Sequence, residues 1–250
     1  MNNRPKAEGR RQKPEVRLRK SESARQTAVP PAVAAAKPAE HRPPAPRVIT
    51  PLLVLISAPS GGGKTTLCRE LLRARPDMTR AVTCTTRDPR PGEADGVDYY
   101  FLKAESFLDR LHAGNFLEHA TVYGNSYGIM KAEVLGKLRQ GRDVLLNVDV
   151  QGAATIRERA LEDAELKRAL ISVYLTPASL LVLEERLRKR GTDSPAAIQK
   201  RLSVARNEIA QWRNFDYLLI SDTVKEDLRR MQAIIEAEKM RSARAVPPET

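Results

Sequence analysis

Only two cysteines, Cys68 and Cys84, occur in the 250 residues, at no metal-ligand spacing. A disulfide framework and a cysteine-built zinc site are therefore excluded, and a reducing, cytoplasmic setting is expected. Histidine is as scarce: His41, His112 and His119 form no ligand pattern. Long apolar runs are missing too. The longest, "LLVLI", has five residues, against the ~20 needed to span a bilayer. No apolar signal segment stands near the start, so neither a membrane span nor a secretory leader is expected. Residues 1–47 lack aromatic residues altogether and hold eight of the seventeen prolines. Such a stretch cannot bury enough apolar surface to offset its ordering entropy, and a disordered extension is expected there.

The net charge of +12 is unevenly placed. Residues 1–47 carry twelve Lys/Arg and four Asp/Glu, leaving the remaining 203 residues at only +4. The extension can therefore make weak contacts to nucleic acid or another anionic surface. Glu8, Glu15 and Glu22 within it argue against an acid-poor mitochondrial leader.

What is present begins at Val48. "LLVLIS" (52–57) is a short continuous apolar run, as expected of a strand buried on both faces of a parallel sheet. "TTLCRELLRARP" follows with helical spacing and ends near Pro76. "VLLNVDV" (144–150), "ISVYLTP" (171–177) and "YLLIS" (217–221) read as further strands. Thr176 with Pro177, and Ser194 with Pro195, read as helix starts, and Gly191 as a helix stop. A final helix is expected over 223–243. Strands alternating with helices predict an α/β fold with a parallel sheet. Residues 81–130, rich in Thr, Arg, Pro and Gly, read as an inserted lobe of mixed structure.

Between the first strand and its helix stands Ala58-Pro59-Ser60-Gly61-Gly62-Gly63-Lys64-Thr65, followed by Thr66. This is the phosphate-loop pattern with alanine in place of its first glycine. Small residues let successive backbone N–H groups turn inward around an anion, and the following helix adds its N-terminal partial charge. Lys64 can reach the β- and γ-phosphates, and the Thr65 hydroxyl can bind Mg2+. Asp149, at the end of "LLNVD", is the natural second element, an acid at a strand's carboxyl end aimed at Mg2+. The loop alone does not separate a kinase from a GTPase or an ATP-driven machine.

A second site narrows the choice. In "TCTTRDPRPGEADGVDYYF" (83–101), Arg87 and Arg90 lie three apart in a proline-stiffened loop, so two guanidiniums can converge on one anion. Tyr99 and Tyr127 add hydroxyls. Glu118 offers a carboxylate suited to the two donors on one edge of guanine.

With these motifs in order, the chain resembles the guanylate kinases over about 52–240. The matching stretches are "SAPSGGGKTTL", "TTRDPRPGEADGVDYYF", "FLEHATVYGNSYG", "GRDVLLNVDVQGA", "RLRKRGTDSPAAIQKRL" and "FDYLLISD". The resemblance implies a P-loop NTPase-type parallel sheet flanked by helices, with an inserted mixed α/β GMP-binding lobe and a helical lid. It implies a kinase domain over 48–243: core 48–80, 142–184 and 207–243, lobe 81–141, lid 185–206. Residues 244–250 are expected to be a flexible end. The implied reaction passes the γ-phosphate of ATP to GMP, and to dGMP, with Mg2+. Arg87, Arg90, Tyr99 and Tyr127 would then hold the GMP phosphate. Thr83 and Glu118 would contact the guanine, with Asp149 beside them. Lys64 and the lid arginines Arg190 and Arg201 would carry catalysis.

Three positions depart from the family pattern. Ile129 replaces a hydroxyl residue at the base, Asn147 replaces an acid, and Ser221 replaces an asparagine on the adenine side. The first departure predicts weaker GMP binding or looser base choice, since an unpaired buried partner costs about 1–3 kcal/mol. The alternatives are a P-loop kinase for another phosphorylated small molecule, and a guanylate-kinase-like protein-binding module. Glu118 argues against the first, and Lys64, Thr65 and the lid arginines against the second.

Overall fold

The computed structural model describes residues 50–122, 124–191 and 194–244. The expectations for residues 1–47 lie outside them. β1 (Leu53–Ser57) is buried at every position, which explains its unbroken apolar sequence: helices cover both faces of the sheet. Its partners are β7 (Asp143–Asn147) and β8 (Leu170–Pro177), with β2 (Met78–Arg80) and β9 (Tyr217–Ser221) at the edges. The order is β2-β7-β1-β8-β9, and every pairing is parallel.

Alternate β1 residues feed two cores. Val54 and Ile56 pack with Leu67 and Leu71 of α1 (Lys64–Ala74) and with Met231 and Ile235 of α8 (Val224–Lys239). Leu53 and Leu55 face α3 (Lys131–Arg139), α4 (Val150–Leu161) and α5 (Ala164–Ala169), through Val134, Ile156 and Leu166 among others.

A second sheet has the order β4-β3-β6-β5. It comprises β3 (Thr83–Thr85), β4 (Tyr99–Phe101), β5 (Phe116–Val122) and β6 (Asn125–Met130). The β3–β4 pair is parallel, and the other pairings are antiparallel. The mixed lobe is therefore present. α2 (Ala104–His112) covers one face, where Phe107 stacks on Phe116 at 4.4 Å between ring centroids. The other face is left for a site. A bulge in β5 breaks the register between Phe116 and Glu118. Leu117 is fully buried in the large core beside β1, while Glu118 pairs with Ile129.

Two sequence expectations are corrected. Thr176 and Pro177 do not start a helix: both still pair with β9 as part of β8, Pro177 opposite Ser221. The ladder holds them extended, and Ser179 caps α6 (Leu180–Arg190) instead, its side chain accepting from the Val182 N–H. Arg244 is not part of a loose end. It is 7% exposed, donates to the carbonyls of Arg168 and Leu170, and is ion-paired to buried Glu238. Thr50 Oγ1 donates to its carbonyl, so the two ends of the described chain meet. The start at Ser194 and the stop at Gly191 agree with the sequence reading. Ser194 caps α7 (Pro195–Ile209), with Pro195 in its first turn, and Gly191 ends α6 in a left-handed conformation.

Candidate active site

The phosphate loop lies at the carboxyl end of β1, where ligands bind in open parallel sheets. Gly61 and Gly63 have φ of 88° and 97°, left-handed values that cost a side chain strain. A Cβ on Gly61 would also stand 2.7 Å from Leu187 Cδ2 of α6, so the loop is roofed by that helix. α1 starts behind Gly63 with no side-chain cap and no acid in its first turn, leaving its first amides to an anion. Ala58 is buried in the core and fits where the pattern has glycine.

Residues Ala58 to Thr66 line a cavity of about 650 Å³ with Asp149, Arg186, Leu187 and Glu208. Lys64 Nζ donates to the Val148 carbonyl at 2.5 Å, tying the phosphate loop to the loop after β7. Burial pulls the Lys64 pKa below its ordinary value, against the opposing pull of Cys68, Asp149 and Glu208. β7 ends at Asn147, and Asp149 is the N-cap of α4, accepting from the Gly152 N–H at 2.8 Å. One of its oxygens is thus spent locally while the residue still lines the cavity.

The open face of the second sheet gathers the other predicted residues by strand register. Tyr99, Thr83, Ile129 and Glu118 form one row across the four strands. Thr85 and Tyr127 belong to the next row, and the Tyr99 and Tyr127 rings meet edge-on at 6.3 Å. The Arg87 guanidinium lies 5.4 Å from the Tyr99 ring centroid and is gripped by both Glu93 oxygens at 2.9 Å. Glu93 also accepts from the Arg90 backbone N–H, so one carboxylate shapes the arginine loop. Glu118 packs against the first turn of α4, where a Cβ on Gly152 would meet its Cγ, Cδ and Oε1 at 3.2 to 3.3 Å. Burial pushes the Glu118 pKa up to about 7, with Asp149 adding to the rise and Arg159 opposing it. Ile129 is 5% exposed and belongs to the apolar core.

From the lid, Arg201 Nη1 donates to Ser60 Oγ at 3.2 Å. Arg190 is the last residue of α6, and its side chain lies outside the described part of the structure. Two charged cavity residues escaped the sequence reading, besides the apolar Leu187. Arg186, one turn before Arg190, donates to Ser221 Oγ at 3.0 Å and to the Asp222 carbonyl. The Ser221 hydroxyl is in turn held by buried Asp227 at 2.7 Å, so Ser221 is committed to the protein. Glu208, seven residues beyond Arg201, is the other. Its signal was the shared helical face, which has no meaning until α7 is seen beside the loop.

The guanylate kinase family model matches residues 50–238. A guanylate kinase of Maricaulis maris is 39% identical over 193 residues, covering 77% of this chain and 86% of that protein. One from Symbiobacterium thermophilum is 42% identical, covering 77% and 88%. The crystal structure of guanylate kinase from Anaplasma phagocytophilum superposes with a TM-score of 0.59 at 29% identity, covering 80% of this chain and 93% of that one.

Proposed function

Since the chain belongs to the guanylate kinase family, we propose that the phosphate loop takes the ATP phosphates and the open face of the second sheet takes GMP. The enzyme transfers the γ-phosphate of ATP to GMP, yielding ADP and GDP. The observation that carries the assignment of the two sites is their meeting point. At the N-terminus of α4, Lys64 of the phosphate loop donates to the Val148 carbonyl on one side, and Gly152, whose N–H donates to Asp149, packs against Glu118 on the other.

In this reading Glu118 accepts from the N1–H and N2 amine of guanine, and Thr83 adds a hydroxyl in the same row. Arg87, Arg90, Tyr99 and Tyr127 hold the acceptor phosphate. That phosphate is already an oxyanion at neutral pH, so no general base is required. Its oxygen attacks the γ-phosphorus in line as the bond to the ADP oxygen breaks. Catalysis then consists of alignment and positive charge from Lys64, Arg190 and Arg201. Closing the lid excludes water, which would otherwise accept the phosphate.

The donor set fits Mg2+. Among the described residues no group of three or more His, Cys, Asp or Glu could hold a metal, as suits an ion bound mainly through phosphates and water. Thr65 and Asp149 would hold it, and the ion would neutralise charge on the phosphates. Among the described residues no helix is long and apolar enough to cross a membrane. A cytoplasmic setting agrees with the two cysteines being free and buried. The basic segment 1–47 is proposed as a separate anionic-surface contact: deleting it leaves turnover intact and removes any salt-sensitive affinity for nucleic acid.

The test is ADP release from MgATP with GMP, dGMP, AMP, CMP or UMP as acceptor. GMP supports turnover, dGMP supports it too, and Lys64→Ala abolishes both. Preference for a pyrimidine acceptor would overturn the role given to Glu118.

A further inference from the structure

Helix α7 turns one stripe toward the phosphate loop. Arg201, Ala205 and Glu208 recur at spacings of four and three, on one helical face. Arg201 Nη1 donates to the Ser60 hydroxyl at 3.2 Å. Ala205 is fully buried beside Leu183 and Leu187, the leucines that cover Gly61. Glu208 lines the same cavity as Ser60; burial raises its carboxylate pKa, and the Ser60 backbone N–H opposes that rise. One residue of the loop therefore meets both ends of the stripe: its side chain accepts from Arg201 and its backbone N–H faces Glu208. The second Glu208 oxygen, Oε2, is buried without a hydrogen-bond partner, and the carboxylate lies within electrostatic reach of Lys64 and Asp149.

A negative charge beside a triphosphate opposes binding, so a carboxylate in this cavity must bring a gain elsewhere. The gain available at this position is an acceptor for the Ser60 amide. We propose that Glu208 is a positioning residue for phosphoryl transfer: by holding Ser60 it sets the register of α7 on the phosphate loop, and so places Arg201 over the transferred phosphate. The inference rests on reading the loop as the ATP site. Glu208 touches no substrate and acts through Arg201. The competing role for the same carboxylate is metal binding beside Asp149, and the two roles respond differently to loss of charge.

The experiment is steady-state kinetics of the full chain carrying Glu208→Ala, Glu208→Gln, Arg201→Ala and the Glu208→Ala/Arg201→Ala pair, with melting curves. Loss of a hydrogen bond that positions the transition state lowers kcat for Glu208→Ala by about tenfold or more. The GMP KM stays within about twofold, because the guanine site is built on the other sheet. Glu208→Gln, whose amide oxygen still accepts from Ser60, restores most of kcat. The double variant is no slower than Arg201→Ala alone. Should Glu208→Ala melt below the assay temperature, Glu208→Met takes its place at matched volume. A glutamine variant as slow as the alanine one, an alanine variant with unchanged kcat, or additive losses in the pair would each overturn the proposal. A parent chain that turns over no GMP defeats the reading of the site itself. An active parent with indifferent Glu208 variants defeats only this inference.

Discussion

Gly152→Ala separates stability from recognition. Gly152 sits buried in the first turn of α4 against Glu118, and its N–H donates to the Asp149 cap. Alanine keeps that N–H, and replacing a helical glycine favours the helix by up to about 1 kcal/mol. The added methyl, however, would stand 3.2 to 3.3 Å from Glu118 Cγ, Cδ and Oε1. All three atoms are on one side, so relief moves the whole carboxylate away from α4 by a few tenths of an ångström. A carboxylate that reads two guanine donors then loses the alignment of at least one charge-assisted bond, worth about 1.5–3 kcal/mol. The expected result is a GMP KM raised by about 10- to 100-fold, an ATP KM unchanged, and a melting temperature equal to or above that of the parent. Initial rates at varied GMP with saturating MgATP, together with calorimetry, read all three. An unchanged GMP KM in a folded variant would refute the placement of guanine at Glu118.

Four further outcomes follow. Because the Glu118 pKa is raised to about 7, its accepting form is lost as pH falls below 7. The GMP KM should then climb about tenfold per pH unit between 7 and 5, beyond any change in a Glu118→Gln control, which carries only the titration of GMP itself. The same shift makes the ionised group a burden in the folded state, so Glu118→Gln should melt higher than the parent above pH 7 and match it near pH 4. Ile129→Thr should lower the GMP KM by restoring a hydroxyl in the guanine row, at a stability cost of about 1 kcal/mol for the buried carbons removed; an unchanged KM would show that the row does not reach the base. Arg244→Ala should destabilise by about 3 kcal/mol, by stripping Glu238 of its buried ion-pair partner and leaving the exposed Arg241 as its cation, with both KM values unchanged. Chemical denaturation and initial rates check it.

Much of the donor side was legible because its determinants are local. A buried strand, a glycine turn and a helix follow one another within 22 residues, β1 to α1. The cap at Ser194 and the stop at Gly191 are also written in adjacent residues. The second site was legible as a set of residue types, but not as a surface. Tyr99, Thr83, Ile129 and Glu118 share a row only because four strands pair in one register, with a bulge at Leu117. Thr176 and Pro177 misled for the same reason: a good local start signal lost to the β9 ladder, and Ser179 took the cap.

The sequence by itself determined the alternation of strands and helices, the phosphate loop and the residue types of an acceptor site, because each depends on neighbours in the chain. Tertiary structure decided what those residues face. It spent one Asp149 oxygen on a helix cap, committed Ser221 to Asp227 and Arg186, and put Glu208 against Ser60 from 148 residues away along the chain. Hydrogen bonds, burial and charge act across space, and the order of residues fixes that space only once the sheets have formed.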